Sequence, residues 1–188
     1  MKKYILFCVS LLLISCSFRS PQSQFYVMNS DNLSSLSSKK LNVSVRRVKV
    51  PDMLDKSQMV IYDKDTSEVK ILEFHRWAEV LPDIIQTTVT NDLMAFLPNS
   101  YIKTAYYDSD LASYNVGIEI NRIEAHKGGK VILSAWWDIS DKQGKPLKRE
   151  QRTYTAQAKG ESIEELVAAQ SDVVHQMSRD ISENLLNI

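Results

Sequence analysis

The chain has 188 residues, and its 23 lysines and arginines are matched by 23 aspartates and glutamates. This even balance gives no electrostatic support to nucleic-acid binding or to a polybasic membrane-surface patch, so both are excluded as leading interpretations. The two cysteines, Cys8 and Cys16, lie near the N-terminus. The rest of the chain must therefore be stabilised by its hydrophobic core, and it is long enough to form one.

The first sixteen residues have the order of a bacterial lipoprotein signal. Two lysines precede an apolar run at residues 4–13, and a small residue, Ser15, stands directly before Cys16. The run is shorter than the roughly 20 residues of a membrane-spanning helix, but it suits a cleaved signal peptide. We therefore predict a lipoprotein signal peptide at residues 1–15, with diacylglycerol and acyl (palmitate) lipid on Cys16, in preference to an ordinary secretory signal.

Residues 16–40 are rich in serine and asparagine and have little periodic apolar pattern. This composition predicts a lipid-anchored tether, in which residues 25–28 form a short extended piece that docks on the folded body. Apolar and polar residues then begin to alternate, which predicts a single folded domain over residues 41–188. The alternation slips by one residue after Arg46-Arg47, and such a slip indicates a bulged strand.

Short strands and one helix are predicted for the first half of this domain. Alternation and turn residues indicate strands at 59–62 and 69–74. A helix is predicted to start at Pro82, whose missing N–H is tolerated in the first turn, and to end before Pro98. Another strand is predicted at 101–107.

The second half of the domain predicts a meander followed by a helix. Apolar residues alternate over 114–120 and 131–139, on either side of a glycine pair, and a third strand follows at 147–158. Ser162 and Glu165 then form a capping box before a continuous apolar stripe. The fold class is therefore α+β: a mostly antiparallel sheet, with the middle helix and the long C-terminal helix packed on one face.

The sequence carries no recognisable catalytic or metal-binding motif. His75, His126 and His175 lie in three separate elements, without a second ligand at metal spacing. There is no nucleophile elbow, phosphate-binding loop or Cys-x-x-Cys motif. We therefore expect no enzymatic activity, no catalytic residue, no metal site and no cofactor other than the lipid on Cys16.

Two aromatic features stand out, and the first is Arg76-Trp77 at the junction between a predicted strand and the middle helix. The pair is either a buried anchor with a cation–π or salt-bridge partner, or an interface hot spot, where both residue types are enriched. We prefer the structural interpretation, because the junction must be held in place before the helix can pack.

The second feature is Trp136-Trp137 in the predicted meander. Neighbouring strand residues face opposite sides, so Trp137 points under the helices and Trp136 shares the outer face with Ile132. If no second layer covers that face, it marks a surface for a partner or for lipid. If the tether folds back over it, both residues are structural. Both interpretations stay open, and the candidate partner-binding residues are Trp136, Ile132, Arg76 and Trp77.

A set of spaced motifs carries a family resemblance. The motifs are Val43-x-Val45-x-x-Val48-x-Val50-Pro51, Leu54-Asp55, Gln58-Met59-Val60, Arg76-Trp77-Ala78-Glu79-x-Leu81 and Trp137-x-Ile139-x-Asp141-x-x-Gly144. With the closing amphipathic helix, they resemble the PqiC family, the auxiliary lipoproteins of ABC-type transport systems that include mammalian-cell-entry (MCE) domain proteins. Val80 stands where the family usually has proline, and Met53 where it often has tyrosine.

The resemblance implies a non-enzymatic adaptor that faces the periplasm from the outer membrane. Ser17, which follows the lipid-bearing cysteine, is a residue that directs lipoproteins outward in enteric-type sorting. The implied partner is the MCE-domain protein of an intermembrane lipid transport system that supports membrane integrity. MCE proteins form rings, so a matching homo-oligomeric ring is a further hypothesis, and contact with phospholipid stays open. The alternatives are a periplasmic lipid-binding carrier and a pilot lipoprotein that assembles an unrelated envelope machine.

Overall fold

The computed structural model describes residues 21–30, 33–63, 66, 68–105 and 112–188. The predictions for Cys16, Ser17 and the signal peptide lie outside the described residues. Within the described part of the chain, eight strands and two helices form. In chain order they are β1 (Gln24–Tyr26), β2 (Asn42–Val45), β3 (Gln58–Tyr62), β4 (Val69–Trp77), α1 (Leu81–Phe96), β5 (Tyr101–Thr104), β6 (Tyr114–Ala125), β7 (Lys130–Asp141), β8 (Pro146–Gln157) and α2 (Ile163–Leu186).

The strands divide between two mixed sheets. The larger sheet has the order β5-β2-β6-β7-β8, in which β2 runs parallel to both of its neighbours and β6, β7 and β8 form the predicted antiparallel meander. The smaller sheet has the order β1-β4-β3, with β1 parallel and β3 antiparallel to β4. The predicted α+β class, with a middle and a C-terminal helix, is confirmed.

Both helices pack on one face of the larger sheet. Helix α2 contacts β7 and β8, α1 contacts β2 and β5, and the helices contact each other. The residues of β7 that point toward them, from Leu133 to Ile139 at every second position, are almost completely buried. The indole N–H of Trp137 donates to the Tyr154 hydroxyl at 3.1 Å, and that hydroxyl donates to Asp180 of α2 at 2.9 Å. The buried indole therefore keeps a hydrogen-bond partner, as a buried Trp usually does.

The helix boundaries follow local sequence signals. The Ser162 hydroxyl accepts a hydrogen bond from the Glu165 backbone N–H at 3.2 Å, as the capping box predicted. Helix α1 has no side-chain cap, but Pro82 lies in its first turn, and the helix ends before Pro98.

The chain bulges directly after β2. Val45 pairs with Val116 and Lys49 pairs with Glu119, so this segment advances four residues while β6 advances three. One residue is therefore extra, as the slipped alternation predicted. Val45 faces the helices, so Arg46 projects from the opposite face of the sheet.

The segment before β2 makes several contacts with the rest of the protein. Its β1 pairs with β4, which agrees with the predicted docking piece, and Met28 is buried. The Asn29 backbone N–H donates to the Ser171 hydroxyl of α2 at 3.4 Å, and the Leu36 backbone N–H donates to the Phe96 carbonyl at 2.8 Å. In the part of the chain that is described, these contacts lie on the helices and on β4. Neither helix of that part is long and apolar enough to cross a membrane.

Candidate docking surface

A groove of about 480 Å³ lies on the face of the larger sheet that the helices leave uncovered. Its walls combine four cations, two carboxylates and one exposed aromatic ring. These side chains are Arg46, Arg47, Lys49, Arg149, Glu119, Asp138 and Trp136. Four positive groups against two negative ones make the groove basic in a chain whose overall charge is balanced.

Trp136 is the large apolar group of this groove. Strand alternation turns its ring away from the helices, and 40% of the residue is exposed. Its strand neighbours are Glu119 on β6 and Gln151 on β8, both polar. None of the contacts that the described N-terminal segment makes lies on this face. Among the described residues, the ring therefore remains open to a partner, which favours the first of the two interpretations of this face.

Arg46 lies flat across β6 to reach β7. Its guanidinium donates to Asp138 at 2.6 Å. A side chain at position 117 would collide with that guanidinium, so Gly117 allows the close approach. The ion pair is half-exposed and therefore contributes little to stability. Its main effect is to hold a planar cation in one place on the wall of the groove.

Two of the cations have no carboxylate partner among the residues that the structure describes. Arg47 pairs with Asp83 in the first turn of α1 at 3.6 Å. In the described part of the chain, Lys49 and Arg149 form no ion pair. Arg149 is the direct strand neighbour of Asp138, which places it beside the Arg46 pair. The groove thus presents unpaired positive charge next to an exposed tryptophan.

The other candidate partner-binding residues lie outside the groove. Ile132 shares the outer face of β7 with Trp136, but it stands four residues away, about 13 Å along the strand. Arg76 and Trp77 end β4 in the smaller sheet. The structure therefore brings none of these three residues to Trp136.

Trp77 is 2% exposed, so its ring offers almost no surface to a partner. It is a packing anchor, the first of the two roles that its sequence position allows. Its backbone N–H donates to the Ser57 carbonyl at 2.7 Å. Arg76 faces the other way and contacts Glu73, through the backbone carbonyl at 2.8 Å and the carboxylate at 3.5 Å. The predicted salt-bridge partner of Arg76 is thus Glu73.

A second polar cluster is buried between the two helices. His175 of α2 contacts Asp92 of α1 at 2.8 Å, and Asp92 is completely buried. Burial lowers the pKa of His175, but the hydrogen bond and charge of Asp92 act in the opposite direction. Together with the Asn29 carbonyl and the charge of Asp172, they raise this pKa above its ordinary value. The described residues include no group of three or more metal-ligating side chains that could hold an ion.

Sequence reasoning found Trp136 but missed the cations around it. The sequence pattern marked Arg46 and Arg47 only as the site of a predicted bulge, and it did not distinguish Lys49 or Arg149 from other basic residues. Arg149 is about one hundred residues from the other cations along the chain. Only the order of the strands, in which β2 and β8 flank β6 and β7, brings them to one groove.

Comparison with solved structures shows that the fold occurs elsewhere. A structure described as an uncharacterized protein has a TM-score of 0.71 and 19% sequence identity, over 88% of this chain and 99% of that chain. A protein from Xanthomonas campestris has a TM-score of 0.63 and 12% identity, over 85% and 92% of the two chains. PelC from Paraburkholderia phytofirmans, solved as a dodecamer, is less similar, with a TM-score of 0.47 and 12% identity over 76% and 89%. The similarity to PelC is too low to indicate the oligomeric state of this chain.

No curated protein sequence matches this chain. A family model described as the ABC-type transport auxiliary lipoprotein component matches residues 27–182. The match takes in every strand of the larger sheet, the whole of α1, α2 except its last four residues, and the whole candidate groove. Because it covers most of the sequence, the chain belongs to the family of ABC-type transport auxiliary lipoprotein components.

Proposed function

We propose that this protein is an outer-membrane lipoprotein that docks the periplasmic end of an MCE-type lipid transport assembly and catalyses no reaction itself. The observation that carries the proposal is the open groove that the exposed Trp136 lines. As an ABC-type transport auxiliary component, the protein would contact another part of a transport system, and an uncovered face with an exposed aromatic ring is suited to that contact.

The chemistry of the groove supports a protein interface. Tryptophan and arginine are the residue types that most often dominate the binding energy of interfaces. Here Arg46 is held in a fixed position by Asp138, so little side-chain freedom is lost when a partner binds. The unpaired Lys49 and Arg149 would attract a partner surface that carries acidic residues.

The proposed role also requires attachment to the membrane, which the lipid anchor would provide. Lipid on Cys16 would tether the domain, and Ser17 favours delivery to the outer membrane. A domain fixed there, with its groove free, would join the two membranes through its partner. The partner assembly is ring-shaped, so we also propose a matching homo-oligomeric ring. Mass measurement that finds only monomers at high concentration would count against the ring, but not against docking.

Co-purification from cell envelopes tests the docking role. The tagged full-length chain should recover an MCE-domain protein, and Trp136→Ala and Arg149→Glu should each reduce the yield. Tyr101→Ala is the matched control, because Tyr101 is an exposed aromatic residue on β5 that does not line the groove. Cys16→Ala should release the protein from the membrane fraction.

Three outcomes would contradict the proposal. Components of a secretion or polysaccharide machine in place of the MCE protein would identify a pilot lipoprotein. Phospholipid that stays bound to the isolated domain in native mass spectrometry, without any co-purifying protein, would identify a carrier. Equal recovery with the Trp136→Ala and Tyr101→Ala variants would exclude the groove as the docking site.

A further inference from the structure

The smaller sheet exposes apolar side chains on its outer face, away from the core. Phe25 and Val27 project outward, 64% and 58% exposed, while the alternate residues Tyr26 and Met28 turn inward. These side chains belong to the first strand of the described chain and the residue that follows it.

Strand β4 extends the same surface. Arg76 is the direct strand neighbour of Phe25, and Phe74, two residues earlier on the same face, is 41% exposed. Farther along β4, Ile71 pairs with Val60 on the side opposite the buried Met59, and it is 45% exposed. We call this surface the apolar patch and define it as Phe25, Val27, Ile71 and Phe74.

Charges beside the patch are already neutralised. Arg76 pairs with Glu73, and Lys70 pairs with Asp63 and Glu68. A charged partner would therefore find little to recognise here, whereas the apolar side chains themselves remain without cover in the described part of the chain.

The position of the patch along the chain indicates its occupant. Only eight residue steps separate the predicted lipid site, Cys16, from Gln24 at the start of β1. Eight residues span at most about 28 Å when fully extended. A domain of this length has a diameter of about 40 Å. The segment between Cys16 and Gln24 is therefore too short to let β1 turn to the far side of the domain from the membrane.

We propose that the apolar patch rests on the bilayer surface and inserts Phe25, Val27 and Phe74 into the interface between headgroups and acyl chains. The proposal rests on the proposed lipid anchor at Cys16. Exposed aromatic and aliphatic side chains on a surface held beside lipid gain free energy by entering this region. The anchor restricts where the domain sits, and the patch fixes which way it faces.

The structure offers a matched control at the opposite end of the domain. The Tyr26 hydroxyl contacts Glu164 at the start of α2, close to where β8 ends. Leu147 lies at the other end of β8, ten residues or about 34 Å from Gln157. Leu147 is an exposed apolar residue like those of the patch, so it differs from them mainly in its distance from β1.

Fluorescence quenching in vesicles tests the orientation. The full chain, matured with its own signal, is prepared as the Val27→Cys, Phe74→Cys and Leu147→Cys variants, each labelled with an environment-sensitive dye. The proteins are reconstituted into phosphatidylethanolamine–phosphatidylglycerol vesicles that contain lipid with a nitroxide quencher on its acyl chain. Quenching should be several-fold stronger at positions 27 and 74 than at position 147. Circular dichroism verifies the fold, and Ile71→Cys replaces a variant that fails to fold.

The outcomes separate the patch from the anchor. Vesicle-bound protein whose labels at 27 and 74 are quenched no more than the label at 147 would overturn the membrane-facing patch and leave the anchor intact. Cross-linking between chains through position 74 would show that a second copy covers the patch, and it would also overturn the proposal. If Cys16→Ala stays as firmly bound to cell membranes as the unaltered chain, the proposed anchor itself fails.

Discussion

Removing His175 should destabilise the protein by leaving a charge buried between the helices. Asp92 is fully buried, one of its carboxylate oxygens contacts His175 at 2.8 Å, and the other has no hydrogen-bond partner among the described residues. Breaking a buried ion pair by removing one partner typically costs about 3–5 kcal/mol. His175 is 15% exposed, so some water already screens the pair, and we expect His175→Ala to cost about 3 kcal/mol.

The stability that the His175–Asp92 pair contributes should decrease as pH rises. The pKa of His175 is raised in the folded protein: burial disfavours the protonated ring, but Asp92, the Asn29 backbone and Asp172 together favour it more. The stabilisation is therefore fully present below the ordinary histidine value of about 6.5, and it is lost as pH rises through the raised folded value. The free-energy difference between the unaltered chain and His175→Ala should be larger at pH 6 than at pH 9.

Urea unfolding of the domain from residue 17 onward, followed at both pH values, measures this difference. Asp92→Asn/His175→Ala is the control variant, since removing the buried charge should recover part of the stability that His175→Ala loses. A loss below about 1 kcal/mol for His175→Ala, or a loss that grows as pH rises, would refute the reasoning. Either result would mean that the Asp92 side chain finds another partner when His175 is absent.

Three further stability predictions follow from the packing. Trp77→Ala should lower the free energy of unfolding by about 3–5 kcal/mol, because the ring is buried. Trp136→Ala should lower it by less than about 1 kcal/mol, because that ring is exposed. Similar losses for the two variants in urea unfolding would contradict the assignment of Trp77 to the core and Trp136 to the surface. Tyr154→Phe should cost about 1–3 kcal/mol in the same assay, since the buried Trp137 indole loses its acceptor. Ser162→Ala should cost about 1 kcal/mol and lower Tm by about 2–4 °C in a thermal melt, because the N-terminal cap of α2 is lost. An unchanged Tm would contradict the capping role.

Local patterns were enough to predict most of the elements. The capping box at Ser162 and the alternation of the meander each reflect interactions between residues close in sequence, so they could be read without a structure. The bulge after β2 was also visible, because a slip of one residue moves every later side chain to the other face. The same rule separated the buried Trp137 from the exposed Trp136.

The division of the strands into two sheets had no such local signal. Strand β1 pairs with β4 about fifty residues later, and β2 lies between β5 and β6, which follow it by about sixty and seventy residues. Alternation indicates which face of a strand is buried, but it does not indicate which strand lies beside it.

The amino-acid sequence by itself predicted a lipoprotein-type N-terminus, and it determined an α+β domain without cysteines and one tryptophan on the outer face of a meander. Only the tertiary structure decided what surrounds that tryptophan. The groove depends on Arg46, Lys49 and Arg149 meeting across a sheet, and the buried pair depends on Asp92 and His175 meeting across two helices. The physical reason is that these contacts form between distant segments, whose juxtaposition is fixed by strand order and helix packing rather than by any local preference.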